Sequence, residues 1–411
     1  MPHNIKIKSP EEATLIDLLG GKDLGPALVR CRVDELSRLA RSQMVLSPLA
    51  ARVERDAGAS GEWRRWAAAV ALSSERDERL YAKAAAKTIG LLEPRGIAPI
   101  VIKGASLALG RPRDTGDIDL LIPEGSLIDA IGELEASGYA YRGFDRNAYI
   151  RRREYRDWKS LSRWSVQFEF QEPETGALVE LHTAFFETAR IYDGDLSALR
   201  RSMGEFIAAS EVDEATGYRL LALEDRALLL ALHTSLKYSP DRQSFALRSL
   251  MDLRTLAEAG LDWDRLRARC IRFGLAYNLA QLFRLYETLA VPCSPPRFVE
   301  GIESLLPRRL VRLTRMQIRC LRSLESYDTV ATFAYQLISP FLLHSTPGAR
   351  LRSLLVIPLL VPRRHKIASI YGLPARSPVV VLCYLLEPLR WSFRLARKAW
   401  KTIRSCDARP V

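Results

Sequence analysis

The chain has 411 residues, of which 48% are hydrophobic and 27% charged, and its formal net charge is +13. This composition excludes a disordered or low-complexity protein, and the length exceeds that of one ordinary domain, so we expect two or three structural units. The positive charge favours polyanionic partners such as nucleotides, nucleic acids or anionic lipid head groups, without choosing among them.

The cysteines and the apolar runs indicate a cytoplasmic protein. The six cysteines lie far apart without a C-x-x-C pair, and we interpret them as free thiols in a reducing compartment. The first residues lack the apolar run of a secretory signal, and no uninterrupted apolar run reaches the roughly 18 residues needed to cross a bilayer.

The first predicted region, residues 1–90, is mostly helical. Apolar residues recur at intervals of three and four over 35–46 and over 63–92, with charged residues on the other face. Trp63 and Trp66 are predicted to pack in the interior rather than to stack on bases.

A mixed α/β unit is predicted over residues 91–215. Its predicted elements are a strand at 100–102, a short helix at 105–109, a strand at 117–122, a helix at 126–137, and strands at 165–170 and 178–182. Glycine and proline at 96–99 mark the change from helices to strands.

Two further regions complete the predicted α+β fold, a small mixed-sheet core with N-terminal helices, a helical second domain and a basic helical C-terminal extension. Residues 216–295 form the helical domain, with amphipathic segments at 223–238, 243–259, 263–273 and 276–289. Residues 296–411 form the extension, where basic residues far outnumber acidic ones. Its apolar stretch 351–361 is flanked by arginines, which is typical either of contact with an anionic membrane surface or of a helix packed on the helical domain.

Asp117 and Asp119 carry the chemistry that this sequence indicates. Side chains alternate between the faces of a strand, so both carboxylates point one way while the aliphatic residues between and after them face a core. Two such charges about 5 Å apart, at an effective dielectric near 20, repel by about 3 kcal/mol, which a divalent cation would offset. A third acid is expected on a neighbouring strand. Glu180 is the preferred candidate, and Glu169 competes with it.

A phosphate-binding turn is predicted shortly before this pair. Gly104 lets the backbone turn tightly, and a helix opening at Ala105 and Ser106 would direct N–H groups and the Ser106 hydroxyl at a phosphate. Lys103 would neutralise a phosphate or extend into solvent. Arg113 would clamp a phosphate, orient an aspartate or remain solvated in its loop.

The order of Gly104, Asp117, Asp119 and Glu180 resembles the core of the DNA polymerase beta superfamily of nucleotidyltransferases. The resemblance implies an α/β fold in which the three acids hold Mg²⁺ or Mn²⁺ and bridge it to a nucleoside triphosphate. Ala105 stands where the superfamily usually has glycine or serine.

A narrower resemblance is to the family of uncharacterised nucleotidyltransferases. It rests on Lys103 with Gly104, on Arg113, on the runs DIDLLI and VELH, and on segments of the helical domain. It implies a nucleotide-binding cleft between the α/β and helical units. Further residues are candidates for that cleft: His182, His233, Lys237, Arg248 and Asp252. Arg248 and Asp252 are one helical turn apart and would equally form a surface ion pair.

These patterns predict a metal-dependent nucleotidyltransferase that transfers a nucleoside monophosphate from an NTP to an unidentified small molecule or protein and releases pyrophosphate. The alternative is a non-catalytic protein that binds a nucleotide or a partner in the same cleft, with a C-terminal region that recruits it to a membrane or to a complex. Nucleic acid is not the expected partner, because the basic and aromatic run at 151–158 has no recognisable binding module beside it.

Overall fold

A computed structural model of the chain describes residues 7, 9–142, 167–185, 202–237, 247–289, 293–324, 326–327, 379 and 382–383. The chain divides into two compact units, and nearly all of the described residues belong to the first unit, which comprises Met1–Arg142 and Asp157–Leu343. The predicted basic and aromatic run at 151–158 and the apolar stretch at 351–361 lie outside the described residues.

Residues 9–92 are helical, as the sequence predicted. Their helices are α1 (Pro10–Gly20), α2 (Gly25–Leu28), α3 (Val33–Ser42), α4 (Leu46–Arg55) and α5 (Gly61–Leu92). Ser9 and Ser60 cap the first and last of these helices by accepting hydrogen bonds from backbone N–H groups of the first turn. Trp63 is buried, and its ring meets that of Trp66 edge to face with centroids 5.5 Å apart, in agreement with a packing role.

One mixed sheet lies at the centre of the described α/β unit. Its strands are β1 (Ile100–Val101), β2 (Ile118–Leu121), β3 (Ala140–Tyr141), β4 (Gln167–Gln171), β5 (Leu178–His182), β6 (Glu211–Val212) and β7 (Arg219–Leu220). Their order is β3-β4-β5-β2-β1-β7-β6, with β2 parallel to β5 and antiparallel to β1. The helices α6 (Ala105–Ala108) and α7 (Leu127–Ala136) lie between these strands in the chain. The predicted α+β fold class is confirmed. Strands β3, β6 and β7 were not predicted because two residues are too few to show alternation.

The two faces of the sheet differ: one is apolar, and the other carries polar side chains beside apolar ones, such as Ile100 and Leu121, that join the helical core. The apolar face packs against α5 and α7 in a core that includes Ile118, Leu120, Phe168, Phe170, Val179 and Leu181. Alternation then places Asp119, Glu180 and His182 on the other face. Burial of the apolar face therefore fixes the direction in which the polar side chains point.

Further helices follow β5 in the chain, the first of them before β6. The helices are α8 (Met203–Ala208), α9 (Leu223–Lys237), α10 (Leu247–Glu258), α11 (Trp263–Arg272), α12 (Ala276–Leu289), α13 (Phe298–Glu303) and α14 (Arg308–Cys320), before a hairpin of β8 (Leu321–Ser323) and β9 (Ser326–Tyr327). Buried leucines of α1 and α3 share one hydrophobic core with those of α9 and α10. The N-terminal helices and the helical domain are therefore packed together, and the domain boundaries drawn from the sequence stay predictions.

Two sequence expectations concern the environment of the chain. Cys31, Cys270, Cys293, Cys320 and Cys383 are free cysteines, as predicted. Within the described part of the chain, no helix has the length and apolar character required to cross a membrane.

Asp114 holds the loop that leads into β2. Its carboxylate accepts hydrogen bonds from the N–H groups of Leu46, at 2.7 Å, and Ser47, at 3.0 Å, which open α4. On the other side, Nη1 of Arg248 in α10 donates to the backbone carbonyl of Asp114 at 3.1 Å. Because Asp117 follows three residues later, this loop fixes where the first predicted metal ligand lies.

We expect Asp114→Ala to lower the free energy of unfolding by about 1–2 kcal/mol, because two N–H groups at the start of α4 lose their acceptor. Urea unfolding followed by tryptophan fluorescence measures this loss. The matched control is Glu135→Ala at an exposed position of α7, with an expected change within about 0.5 kcal/mol. Equal effects of the two substitutions would contradict the capping role.

Candidate active site

A tight turn at Gly104 joins β1 to α6 at the edge of the polar face. Gly104 has φ 57° and ψ −116°, a conformation that glycine adopts without the steric cost of a side chain. A Cβ atom there would lie 3.4 Å from Cγ2 of Thr115 and 3.7 Å from the carbonyl oxygen of Asp117. The turn therefore lies directly against the chain that enters β2.

The groups after Gly104 are largely committed to the turn itself. Ser106 N donates to the Lys103 carbonyl at 3.2 Å, and Leu107 N donates to the Gly104 carbonyl at 3.1 Å. The Ser106 side chain is fully buried. The backbone carbonyl of Ser106 accepts a hydrogen bond from Nη1 of Arg226 at 2.8 Å. Ser106 thus faces the interior, and Ala105 provides the first residue of α6.

A cleft lies beside this turn, between the sheet and the helices α9 and α10. Most residues predicted for a nucleotide site line it: Lys103, Gly104, Arg113, Asp117, Asp119, His233, Arg248 and Asp252. The space between atoms there is about 440 Å³, part of which is open to solvent. Lys237 ends α9, and the structure does not describe its side chain.

Asp119, Glu180 and His182 form a buried cluster across two parallel strands. Asp119 pairs with Glu180 in the register of β2 and β5, and His182 follows two residues later on the same face. Nε2 of His182 lies 2.9 Å from Oδ1 of Asp119 and 3.3 Å from Oε2 of Glu180. One ligand atom from each of the three side chains falls within 4.8 Å of the others.

The other acids lie next to this cluster. Asp117 precedes β2, is partly exposed and lines the cleft. Glu169 of β4 pairs with Glu180 in the neighbouring antiparallel ladder and is partly exposed. The structure thus places Glu180 in the cluster with Asp119, and places Glu169 on the strand beyond it.

Lys103 neutralises part of this negative charge. Its side chain is 15% exposed, and its ammonium group donates to Oδ1 of Asp119. Burial by itself raises the pKa of Asp119, but Lys103 and His182 outweigh burial and hold that pKa well below its usual range. Burial lowers the pKa of Lys103 and of His182, but the surrounding carboxylates prevail and leave both pKa values raised. Asp119 is consequently ionised at neutral pH.

The donor set fits a divalent cation. Asp119 and Glu180 supply carboxylate oxygens, and His182 supplies an imidazole nitrogen, all within the span that one ion needs. Asp117 adds a further acid in the same cleft. Asp119 and Glu180 are balanced in the structure by the Lys103 ammonium and the His182 ring, and a bound divalent cation would supply the same compensation.

Arg113 and Asp252 join the loop before β2 to α10. The Arg113 guanidinium donates from Nε to Oδ1 of Asp252 at 2.9 Å and from Nη2 to Oδ2 at 3.0 Å. Both side chains are buried, at 8% and 6% exposure. Two parallel hydrogen bonds of this kind fix the guanidinium in one orientation. Arg113, which the sequence offered as a partner of either a phosphate or an aspartate, thus contacts an aspartate of the helical domain.

Sequence reasoning missed the apolar part of the cleft lining, Leu107, Leu229 and Leu230, and also missed Ser249. Apolar positions of a helix give no signal that separates a cleft wall from a core. Ser249 lies three residues before Asp252, and this helical spacing was the signal that could have identified it.

The Arg113–Asp252 pair generates a stability prediction. Asp252→Leu leaves a buried guanidinium without its partner, and we expect a loss of about 3–5 kcal/mol in the free energy of unfolding. The double variant Arg113→Met/Asp252→Leu should recover most of that loss because neither charge remains. Glu75→Ala, which removes the exposed pair of Glu75 with Arg79 on α5, is the control, with an expected loss below about 1 kcal/mol. Urea unfolding measures all three, and a double variant no more stable than Asp252→Leu would contradict the interpretation.

Comparison with known proteins agrees with this geometry. A family model described as "Uncharacterised nucleotidyltransferase" matches residues 31–290, which is more than half of the chain and includes both the cluster and the cleft. No curated protein and no solved structure matched the chain. The chain belongs to the family of uncharacterised nucleotidyltransferases.

Proposed function

We propose that this protein is a metal-dependent nucleotidyltransferase that transfers a nucleoside monophosphate from an NTP to an acceptor and releases pyrophosphate. The observation that carries the proposal is the pairing of Asp119 with Glu180 on adjacent parallel strands, beside the Lys103–Gly104 turn. Family membership supports nucleotidyl transfer in general. The metal, the NTP donor and the pyrophosphate product go beyond family membership and are proposed here.

Asp117, Asp119 and Glu180 are the residues proposed to hold Mg²⁺ or Mn²⁺. Such an ion, when bound, neutralises phosphate oxygens and stabilises the charge that develops on the leaving pyrophosphate. Glu180 lies farther from the Gly104 turn than Asp119 does, since β5 is on the side of β2 opposite β1. We therefore assign to Glu180 the acceptor side, where its carboxylate would take the proton of the attacking hydroxyl.

The triphosphate is proposed to lie between the two cationic walls of the cleft. Lys103 and Arg248 both line it and provide positive charge on opposite walls. The amides of Ser106 and Leu107 are engaged within the turn, so the amides of Gly104 and Ala105 are the ones proposed to contact phosphate.

The free thiols of the described part support a reducing, cytoplasmic setting for this reaction. Peripheral membrane contact through the C-terminal region stays a proposal.

One observation favours a second candidate, a non-catalytic nucleotide- or partner-binding protein. The Lys103 ammonium already contacts Oδ1 of Asp119, one of the oxygens that a catalytic ion requires. In this alternative Lys103 stays on Asp119, and nucleotide binds without a metal. Calorimetry separates the candidates, because the enzyme requires a divalent cation for tight NTP binding and the binding protein does not.

The transfer test uses cell extract as the source of acceptor. Wild-type protein, each of the four NTPs labelled at the α-phosphorus, and Mg²⁺ or Mn²⁺ are incubated with extract, and labelled products are separated. We expect Asp119→Asn and Glu180→Gln each to lower labelling by about 100-fold or more, because both remove a carboxylate from the reacting centre. Asp129→Asn, at an exposed position of α7, should label as well as wild type.

A parallel reaction with NTP labelled at the γ-phosphorus distinguishes the chemistry. After subtraction of a reaction with extract alone, the label released by the added protein should appear in pyrophosphate and not on an acceptor. Transfer of the γ-label to an acceptor would indicate a kinase instead, and equal α-labelling by wild type and Asp119→Asn would contradict the proposed mechanism.

A further inference from the structure

We infer that His182 is itself a metal ligand, through Nε2, and that the site consequently prefers a first-row transition ion such as Mn²⁺ over Mg²⁺. This inference rests on the proposed function and adds a nitrogen donor to its carboxylate set. The ring is buried at the base of the cluster, and the polar contacts of Nε2 are to Asp119 and Glu180.

The distances within the cluster match those between neighbouring ligands of one ion. Metal–nitrogen and metal–oxygen bonds of about 2.1 Å at right angles separate adjacent ligand atoms by about 3.0 Å, and a wider angle near 105° separates them by about 3.3 Å. The separations from Nε2 of His182 are 2.9 Å to Oδ1 of Asp119 and 3.3 Å to Oε2 of Glu180. The two carboxylate oxygens lie within 4.8 Å of each other, so all three atoms can bind one ion once the carboxylates close to a similar spacing.

The type of donor decides which ion is preferred. Mg²⁺ takes oxygen ligands and retains its waters, whereas imidazole nitrogen suits first-row transition ions. A set of two carboxylates and one imidazole, all at most 6% exposed, therefore favours Mn²⁺ or an ion after it in the series. Loss of the imidazole should weaken binding of Mn²⁺ far more than binding of Mg²⁺.

Lys103 contacts one of the three proposed ligand atoms. Its ammonium contacts the Oδ1 atom that also contacts His182. A cation and the ammonium group compete for this oxygen, so Lys103 has to leave Asp119 when an ion binds there. Because Lys103 also lines the cleft, its ammonium would then be directed at the triphosphate. Removal of Lys103 should accordingly strengthen metal binding.

Electron paramagnetic resonance with MnCl₂ and the full-length protein tests the inference. Titration gives the Mn²⁺ dissociation constant, competition with MgCl₂ gives that of Mg²⁺, and electron spin echo envelope modulation detects a bound ¹⁴N nucleus. We expect Mn²⁺ to bind at least about tenfold more tightly than Mg²⁺, with nitrogen modulation. His182→Gln should abolish the modulation and weaken Mn²⁺ binding by about 10- to 100-fold, while Lys103→Met should strengthen it several-fold.

Two controls keep the test decisive. His233→Gln changes the histidine that lines the cleft beside the cluster and should retain the nitrogen modulation. Wild-type protein labelled with ¹⁵N-histidine should show the altered coupling of that isotope, which tests the ligand even where His182→Gln does not fold. Circular dichroism of each variant reports folding.

The outcomes separate this inference from the proposed function. Mn²⁺ bound without nitrogen modulation, modulation that persists in His182→Gln, or equal affinity for Mn²⁺ and Mg²⁺ would each overturn the assignment of His182. Labelling of an acceptor with Mg²⁺, measured as described above, would leave the transferase proposal standing in those cases. Absence of both Mn²⁺ binding and labelling would overturn the two together.

Discussion

The burial of two carboxylates, Asp119 and Glu180, at paired positions of adjacent parallel strands is the constraint on which the site depends. Their separation is set by the sheet, because the aliphatic residues that flank each of them along its strand are held in the core on the other face. Buried charges of one sign require compensation. Lys103 and His182 provide it in the structure, and a divalent cation provides it in the proposed reaction. The same electrostatic requirement thus explains why a cationic residue, an imidazole and a metal all suit one location.

The surrounding contacts keep this cluster in register with the cleft. The loop between the Gly104 turn and β2 is fastened at Asp114 to the start of α4, and at Arg113 to Asp252 of α10. Arg248, one turn before Asp252, reaches back to the Asp114 carbonyl. These contacts involve three separate regions of the chain. Hence residues of the N-terminal helices and of the helical domain position the loop that delivers Asp117, although the reacting groups lie mainly on the sheet.

The sequence allowed the strand carrying Asp119, the strand carrying Glu180 and the α+β class to be predicted, because short-range alternation reports which face is buried. It left the partner of Arg113 open, since Asp252 is 139 residues away and only tertiary packing brings them together. It also directed the Ser106 hydroxyl at a phosphate, whereas α6 turns that side chain into the core, where Arg226 binds the Ser106 carbonyl. A four-residue helix has too little pattern to indicate its buried side. For His182 the prediction was partial. Alternation along β5 placed its side chain on the same face as Glu180, but the sequence did not show its contact with Asp119 on the next strand.

The most direct test of the central claim is a crystal structure with MnCl₂ and a non-hydrolysable NTP analogue, with anomalous diffraction recorded at the manganese edge. The geometry predicts an anomalous peak about 2.0–2.3 Å from carboxylate oxygens of Asp119 and Glu180, with the triphosphate between that peak and the Gly104 turn. A nucleotide bound in the cleft with no anomalous peak at these carboxylates, while Lys103 still contacts Asp119, would contradict the claim that this buried acid pair is a catalytic metal site.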